Sequence, residues 1–335
     1  MPSIRRRLFV TVAAASLLLA AALVIAPLVG STSISMSRVF DRSTPFADNT
    51  DAQIFFIARL PRVLAAALVG ASLAAAGVVL QALLRNPLAT SDTLGVASGA
   101  ALGAMIAITF HLDFRVAGIS SIPLASFIGS VAALGVIYAL SSARRRGLST
   151  TVLLLGGVTM QAFFSAVILF LQYWADFTDT GRTLRWLMGT LDVGSYAPIV
   201  AVLPVVAAAF GILATLPRPL DLISLGSEAA AARGVDVVRA ERLALVSASL
   251  STAAAVSLAG PVGFIGLIVP HLVRLIVGSD HRLVIPASML GGAAFLIACD
   301  LVARTAFAPL ELPVGIVTAL IGGPFFLWLL LRAAR

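Results

Sequence analysis

The sequence predicts an all-helical, polytopic membrane protein with about ten transmembrane helices. Of its 335 residues, 60% are hydrophobic and 11% are charged, whereas soluble domains carry about 25% charged residues. A chain so poor in charge cannot cover a water-facing surface of this size. Its apolar residues fall into ten segments close to the length of a membrane span. These segments lie at 8–29, 63–84, 94–110, 122–140, 152–174, 197–216, 243–260, 262–277, 283–302 and 312–331.

Two of these segments are short, and the first resembles a secretory signal. Segments 94–110 and 262–277 fall below a full span, so we expect tilted, broken or partly buried helices there. The first segment follows Arg5, Arg6 and Arg7, but its 22 residues exceed the ~7–15 of a signal core, so we expect a retained helix. Because no polar stretch is long enough for a soluble domain, we expect residues 1–335 to form a single transmembrane domain.

The arginines are distributed unequally between the two sets of loops. With a cytoplasmic N-terminus, 15 of the 23 arginines fall on the cytoplasmic side and nine of the 15 carboxylates fall on the other side. This excess of arginine on the cytoplasmic side is what the positive-inside rule predicts. The sequence therefore predicts ten spans with the N- and C-termini both cytoplasmic.

Small residues recur within the spans. Gly99 and Gly103 have G-x-x-x-G spacing and Gly291 precedes Gly292, which allows close helix approach in lipid. We interpret both pairs as packing within the chain rather than as a dimer interface. Cys299 is the single cysteine, which excludes an intrachain disulfide framework.

The sequence offers little to couple transport to an energy source within this chain. A P-loop needs a lysine to reach the nucleotide phosphates, and the chain contains none. If ATP drives transport, another polypeptide hydrolyses it. Asp92, His271 and Asp300 are candidates for ion coupling inside the membrane, but we interpret each as structural.

The longest polar loop on the predicted cytoplasmic side runs from about residue 217 to 240. Ser227 can N-cap a short helix that Glu228 opens and that Gly234 ends. Such a helix can transmit force to a partner, or it can be an ordinary amphipathic helix at the membrane surface.

Three arginines lie at the predicted outer mouth of the bundle. Arg59 and Arg62 flank Leu60-Pro61, where Pro61 suits a helix start. Two cations at a helix N-terminus oppose the helix dipole, so their placement needs another reason. Arg304 lies on the same face. Pairing with Asp300, Glu311 or lipid phosphates can explain any single arginine, but we do not expect it to explain all three.

Four motifs, in order along the chain, identify a family resemblance. They are R-L-P-R at 59–62, Q-A-L-L-R-N-P-L-A at 81–89, G-P-V-G-F-I-G-L-I-V-P-H-L-V-R at 260–274 and E-L-P-V-G at 311–315. Over nearly its whole length the chain resembles the FecCD permeases of type II ABC importers, and it is similar to the cobalamin importer permease. The resemblance implies an inverted five-plus-five helix repeat and a location in the bacterial inner (plasma) membrane.

The resemblance also implies partners and residue roles. The partners are a second copy of the chain, two separate ABC ATPase subunits, a periplasmic or lipid-anchored substrate-binding protein, and membrane lipid. The resemblance implies that Arg59, Arg62 and Arg304 dock the binding protein. It also implies that loop 217–240 couples to the ATPase, through Leu225, Gly226, Glu228, Gly234 and Val235. The gate and pathway residues are Ser149, Thr150, Thr151, Met160, Gln161 and Phe164, although hydroxyls at 149–151 can equally cap a helix.

The resemblance implies a permease and not an enzyme, and the cargo is less well defined. Ferric siderophores are the favoured cargo, and heme or cobalamin are the alternatives. We expect no cofactor, no metal site and no nucleic-acid partner. An ion-coupled secondary transporter is the alternative from another class, and sparse intramembrane carboxylates argue against it. An intramembrane enzyme would need a catalytic constellation, and no residues are spaced for one.

The charge distribution makes a testable prediction about topology. In a Cys299→Ala background, single cysteines at Ser142 and Asp48 should react with a membrane-impermeant maleimide from opposite faces of sealed vesicles. Labelling of both cysteines from the same face would contradict the ten-span topology.

Overall fold

The computed structural model describes residues 4–116, 119–142 and 149–333. The first half contains α1 (Ile4–Leu28), α2 (Met36–Val39), α3 (Thr50–Gln53), α4 (Leu60–Leu83), α5 (Val96–Thr109), a hairpin of β1 (Arg115–Val116) and β2 (Ile119–Ser120), α6 (Ser121–Ser142) and α7 (Thr150–Trp174). The second half contains α8 (Phe177–Leu187), α9 (Ala197–Ala214), α10 (Pro217–Ser224), α11 (Ser227–Ala231), α12 (Val237–Ala259), α13 (Ile265–Val277), α14 (His281–Thr305) and α15 (Val314–Ala333). Arg144, Arg145, Arg146 and Arg335, all assigned to the cytoplasm above, lie outside the described residues.

The ten predicted apolar segments correspond to ten helices. Within the described ranges, seven helices are long and apolar enough to cross a membrane, and three shorter apolar helices accompany them. The predicted short segments are α5, with 14 residues, and α13, with 13. At 1.5 Å per residue α13 spans roughly 20 Å, less than the ~30 Å hydrocarbon core. The prediction of an all-helical polytopic fold is confirmed.

At the turn between α12 and α13, a backbone carbonyl accepts a hydrogen bond from a distant part of the chain. Gly260, with φ of 67°, ends α12, and α13 starts only at Ile265. The N–H of Thr190, just after α8, donates to the carbonyl of Ala259 at 2.8 Å. Irregular backbone at membrane depth is tolerated where protein covers it and supplies such partners.

The helix that carries Arg59 and Arg62 begins earlier than the sequence suggested. Helical structure is continuous from Thr50 to Leu83, because α3 passes through a π-helix at Ile54–Arg59 into α4. Pro61 has no N–H to donate to the preceding turn, and a π-helix accommodates that change. Pro61 lies in the first turn of α4, as predicted, but the π-helix continues the backbone before it. Arg59 and Arg62 therefore do not lie at a free helix N-terminus and do not oppose a helix dipole.

The two ends of the bundle are defined by contacts between distant residues. Arg7 donates from Nη2 to the Val277 carbonyl at 2.6 Å, and Arg85 donates from Nε to the Ile223 carbonyl at 3.0 Å. The start of α1, the end of α4, the end of α13 and α10 thus share one end, here called the inner end. The opposite ends of α4 and α14 form the outer end. The assignment of the inner end to the cytoplasm remains a prediction.

The helix α4 lies at the centre of the bundle, and glycine contacts bring its neighbours close. It packs against α12, α13 and α14, whereas α1 packs mainly on α14 and α7 packs on α5 and α6. A Cβ built on Gly70 of α4 would lie 2.2 Å from the carbonyl oxygen of Gly292 in α14. A Cβ on Gly103 would lie 2.1 Å from the Ala125 carbonyl oxygen. Both glycine pairs therefore serve packing within the chain, as predicted.

The close contact between α5 and α6 predicts a position-specific loss of stability. Gly103→Leu should destabilise the purified protein by about 1–3 kcal/mol or more, because backbone atoms fill the space that the side chain needs. Gly135→Leu is the matched control, since a Cβ at Gly135 meets no atom within 4 Å. Thermal unfolding in detergent measures both, and equal midpoints would contradict the packing interpretation.

Candidate functional site

A buried carboxylate organises the outer end. Asp300 in α14 is 0% exposed, and it contacts Nε of Arg62 through Oδ1 at 2.8 Å and Nε of Arg304 through Oδ2 at 3.0 Å. Arg62 also pairs with Glu311 in the α14–α15 loop. A buried charge is stable only when it is paired. The two arginines supply that pairing and join α4 to α14.

The same arginine cluster caps the end of α1. Arg59 donates from Nη1 to the carbonyls of Pro27 at 3.0 Å and Leu28 at 3.2 Å. Arg304 donates from Nη2 to the carbonyl of Ala26 at 3.1 Å. Cations at a helix C-terminus satisfy its unpaired carbonyls and its dipole. The cluster therefore fastens α1, α4 and α14 together.

These contacts divide the three predicted docking arginines into two kinds. Arg59 is 5% exposed and Arg304 is 4% exposed, so direct contact of either with a partner would require its intrachain bonds to break. The side chain of Arg62 is 15% exposed. Pairing with Asp300 or Glu311, the alternative given for a single arginine, occurs at Arg62 and Arg304, whereas Arg59 donates to backbone carbonyls. Their docking role remains a prediction.

Arg62 also lines an open cavity of about 420 Å³ at the outer end. The amphipathic helix α8 forms another wall of the cavity and contributes Arg185, and Asp192 and Glu311 also line it. No sequence motif named above includes Arg185. The signal available was the pair Arg182 and Arg185, three residues apart and both exposed on a short polar helix.

The inner end carries the predicted coupling element, with one correction to its start. Gly226, with φ of 130°, is the N-cap of α11, and Ser227 is the first helical residue. The hydroxyl of Ser227 instead contacts Arg85 and Glu241. The prediction of Ser227 as the N-cap is therefore wrong, because two tertiary partners take its hydroxyl. Gly234, with φ of 80°, follows α11 as expected.

The predicted coupling element is attached to the bundle at two points. Arg85, at the end of α4, donates to the carbonyl of Ile223 in α10 at 3.0 Å. His281, 5% exposed at the start of α14, contacts Oδ1 of Asp221 through Nδ1 at 2.6 Å. Next to it, Asp280 caps α14, and hydrogen bonds from Arg282 hold the pKa of Asp280 below its usual range. Displacement of α10 would therefore act on both α4 and α14.

Three of the five predicted coupling residues are exposed. Leu225 is 69% exposed, and Glu228 and Gly234 are also exposed, whereas Gly226 and Val235 are half-buried. Burial of Leu220 and Ile223 turns the apolar face of α10 into the bundle. Leu225 and Glu228 are therefore accessible to a partner from outside the chain.

The predicted gate and pathway residues lie on α7. Ser149 caps the helix by accepting from the N–H of Val152, so the capping alternative holds for Ser149. Thr150 is half-buried, and Thr151 and Gln161 are exposed. Met160 packs against the core, and Phe164 is half-buried. One long face of α7 is exposed, including Leu155, Val158, Phe163 and Leu169.

The described side chains provide no obvious metal centre. Among residues 4–116, 119–142 and 149–333, no group of three or more His, Cys, Asp or Glu side chains is arranged to hold an ion. His271, considered above as a coupling group, lies edge-on to Phe325 at a ring distance of 6.5 Å.

The outer cluster predicts an asymmetry between two acidic residues. Asp300→Asn should cost about 3–5 kcal/mol of stability, because it leaves two arginines without their buried counterion. Glu311→Gln should cost about 1 kcal/mol or less, because Glu311 is 46% exposed. Thermal unfolding of the two variants in detergent checks this, and a larger loss for Glu311→Gln would contradict it.

Comparison with known proteins places the chain in a family. The model of the FecCD transport family matches residues 18–332. The cobalamin import permease BtuC of Halobacterium salinarum is 48% identical over 81% of this chain and 72% of its own. The hemin permease HmuU of Yersinia pestis is 38% identical over 90% of each. The Fe(3+) dicitrate permease FecD of Escherichia coli is 38% identical over 82% of this chain and 84% of its own.

A solved structure agrees with these relatives. It is an inward-facing conformation of a metal-chelate type ABC transporter, 32% identical, with a TM-score of 0.82 over 96% of this chain and 98% of that chain. The resemblance drawn from four sequence motifs is therefore confirmed. The chain belongs to the FecCD transport family and is a membrane-spanning ABC transporter permease.

Proposed function

We propose that this chain is the permease subunit of an ATP-driven importer that carries a metal chelate into the cytoplasm. It works as a homodimer with two separate ATPase subunits and an external substrate-binding protein. The observation that best supports this proposal is the exposed α10–α11 element at the inner end. It projects Leu225 and Glu228 from the bundle while Arg85 and His281 connect it to α4 and α14.

The ATPase contacts the α10–α11 element at the inner end. An element that transmits force from the ATPase needs an exposed contact surface and firm attachment to the transmembrane helices, and residues 217–240 have both. Its attachments reach α4, which packs at the centre of the bundle, and α14, which continues to the outer end. Force on Leu225 or Glu228 is thereby transmitted to helices that run the length of the permease.

The pathway lies between two copies of the chain, along the exposed face of α7. Thr151, Thr159, Gln161 and Ser165 are exposed on this helix, and such side chains are otherwise costly in lipid. Thr150 and Thr151 narrow the inner mouth as gate residues. A wall of mixed low polarity lets a bulky chelate pass because it binds the cargo weakly.

The binding protein docks at the outer cavity through Arg62 and Arg185. Arg59 and Arg304 support this surface indirectly, because they hold α1 and α14 in position behind Arg62. A twofold permease presents each arginine twice, which matches a binding protein with one acidic patch on each of two lobes. Charge pairing at such a rim mainly sets encounter rate and orientation.

The cargo is a metal chelate of the siderophore, heme or corrinoid class. A ferric siderophore is the first candidate, and the FecD permease of E. coli, 38% identical, is named for Fe(3+) dicitrate. A corrinoid is the second candidate, because the H. salinarum permease with 48% identity is named for cobalamin import. Heme remains the third candidate, supported by the HmuU permease of Y. pestis.

The coupling proposal predicts that Glu228→Arg separates assembly from membrane insertion. The variant should elute in detergent like the wild type, since Glu228 is exposed, but it should lose co-purification with the ATPase or stimulation of ATP hydrolysis. Gly234→Leu should act in the same direction, because φ of 80° strains any residue with a Cβ. Asp113→Arg, the same charge change outside the α10–α11 element, is the control. Normal transport by both test variants would refute the coupling role.

The docking proposal predicts salt-dependent loss of binding-protein capture. Arg185→Glu should slow association by roughly tenfold at low salt and by less at high salt, and Arg185→Lys should retain most of the rate. ATPase assembly should not change. Surface plasmon resonance against the immobilised complex measures the rates. Equal rates for Arg185→Glu and the wild type across a salt titration would remove Arg185 from the docking surface.

A further inference from the structure

We propose that Gln81 is a positioning residue of the permease, because it supplies to α13 the hydrogen bond that Pro270 removes. Pro270 lies inside α13 and has no N–H, so the carbonyl of Gly266, four residues earlier, lacks its donor within the helix. The side-chain amide of Gln81 in α4 donates to this carbonyl at 2.9 Å. The helix α4 thus completes a hydrogen bond that α13 cannot make for itself.

The packing of α4 on α13 is built around this carbonyl. Gln81 is 4% exposed, and a Cβ built on Gly77, one turn before it, would lie 1.9 Å from the carbonyl oxygen of Gly266. Only a residue without a side chain leaves room for so close an approach. Gly77 therefore admits the carbonyl, and Gln81 provides its donor. Within a membrane, a carbonyl without any donor would be costly.

The same amide also holds the last turn of α13. Its Oε1 accepts a hydrogen bond from Nη1 of Arg274. Gln81 therefore contacts α13 on both sides of Pro270, four residues before it and four residues after it. Both contacts require an amide, which is donor and acceptor at once. A methionine of similar length has no donor, so it can fill the space without making the bond to Gly266.

A second proline in the bundle is accommodated in the same way. In the π-helix before α4, the N–H of Leu60 donates to the carbonyl of Phe55, five residues earlier. The next residue, Pro61, has no N–H for the carbonyl of Phe56. The hydroxyl of Tyr196, which precedes α9, donates to that carbonyl at 2.7 Å. A donor from a distant part of the chain thus takes the place of a proline N–H at both sites, which argues against an accidental contact.

Gln81 also lies next to an attachment of the α10–α11 element. Arg85, four residues after Gln81, donates to the carbonyl of Ile223 in α10 at 3.0 Å. The inner end of α4 therefore holds α13 through one side chain and the α10–α11 element through another. The role of this link rests on the proposed coupling function: movement of the α10–α11 element reaches α13 through α4, and Gln81 keeps α13 in position to receive it.

A double-mutant cycle on the purified full chain tests the hydrogen bond independently of transport. Gln81→Met should lower the thermal midpoint in detergent by roughly 2–4 °C, because the Gly266 carbonyl loses its donor. Pro270→Ala restores a backbone N–H to α13, so Gln81→Met should lower the midpoint only about half as much in that background. Gln81→Glu keeps an acceptor for Arg274 but has no N–H when ionised, and it should show the same rescue. Pro270→Gly also restores the N–H and replaces Pro270→Ala if that variant does not fold.

Gln53→Met is the matched control for this cycle. Gln53 donates to the carbonyls of Phe46 and Ala47 in the first outer loop, so its effect should be the same with and without Pro270→Ala. Strictly additive effects of Gln81→Met and Pro270→Ala would overturn the proposal.

Transport measurements test the positioning role itself. In proteoliposomes with the ATPase and the binding protein, Gln81→Met should lower the amount of chelate transported per ATP by roughly threefold, and Pro270→Ala should restore most of it. A lower thermal midpoint with unchanged transport per ATP would overturn the positioning role. Uptake driven by an ion gradient would contradict the proposed function instead, and the thermal cycle would still report on the bond between Gln81 and Gly266.

Discussion

The buried carboxylate of Asp300 is the constraint on which the outer half of the permease depends. An ionised group at this depth is stable only with counterions in direct contact, and Arg62 and Arg304 provide them. Arg304 also caps α1, and Arg62 also holds Glu311 in the α14–α15 loop. One carboxylate therefore fixes the relative positions of α1, α4 and α14 and of the loop that leads into α15.

The inner end is held together differently, and this difference bears on the mechanism. Its links are a hydrogen bond from Arg85 to a backbone carbonyl and the contact between His281 and Asp221. Neither link places a charge as deeply as Asp300. The α10–α11 element is thus attached firmly enough to transmit force and lies far enough out to meet a partner. The helices α4 and α14 join this end to the arginine cluster at the other.

The fold could be predicted from the sequence in most respects because lipid imposes few alternatives. Apolar segments of span length must be helical, and close glycine pairs at 99 and 103 must meet another helix. Predictions from local sequence patterns, such as helix caps and helix starts, failed where tertiary contacts or neighbouring helical structure competed with them. Pro61 looks like a helix start, but the chain enters it from a π-helix at Ile54–Arg59. Ser227 looks like an N-cap, but Arg85 and Glu241 take its hydroxyl.

The site could be predicted only in part, for a related reason. The arginines at 59, 62 and 304 could be named from motif and position, but the sequence does not show that Arg62 and Arg304 share the carboxylate of Asp300. The contact of His281 with Asp221 joins residues 60 positions apart, and no local sequence pattern predicts it. Arg185 could not be assigned to the cavity of Arg62 until α8 was placed, since the two lie on different helices.

The proposal of an ATP-driven importer is tested by identifying the energy source of transport. The permease is reconstituted into proteoliposomes with its ATPase and binding protein, and uptake of each loaded chelate is measured with and without ATP and with and without a proton or sodium gradient. We expect uptake only with ATP, the ATPase and the binding protein present, and no effect of collapsing the ion gradient. Gradient-driven uptake by the permease alone would contradict it.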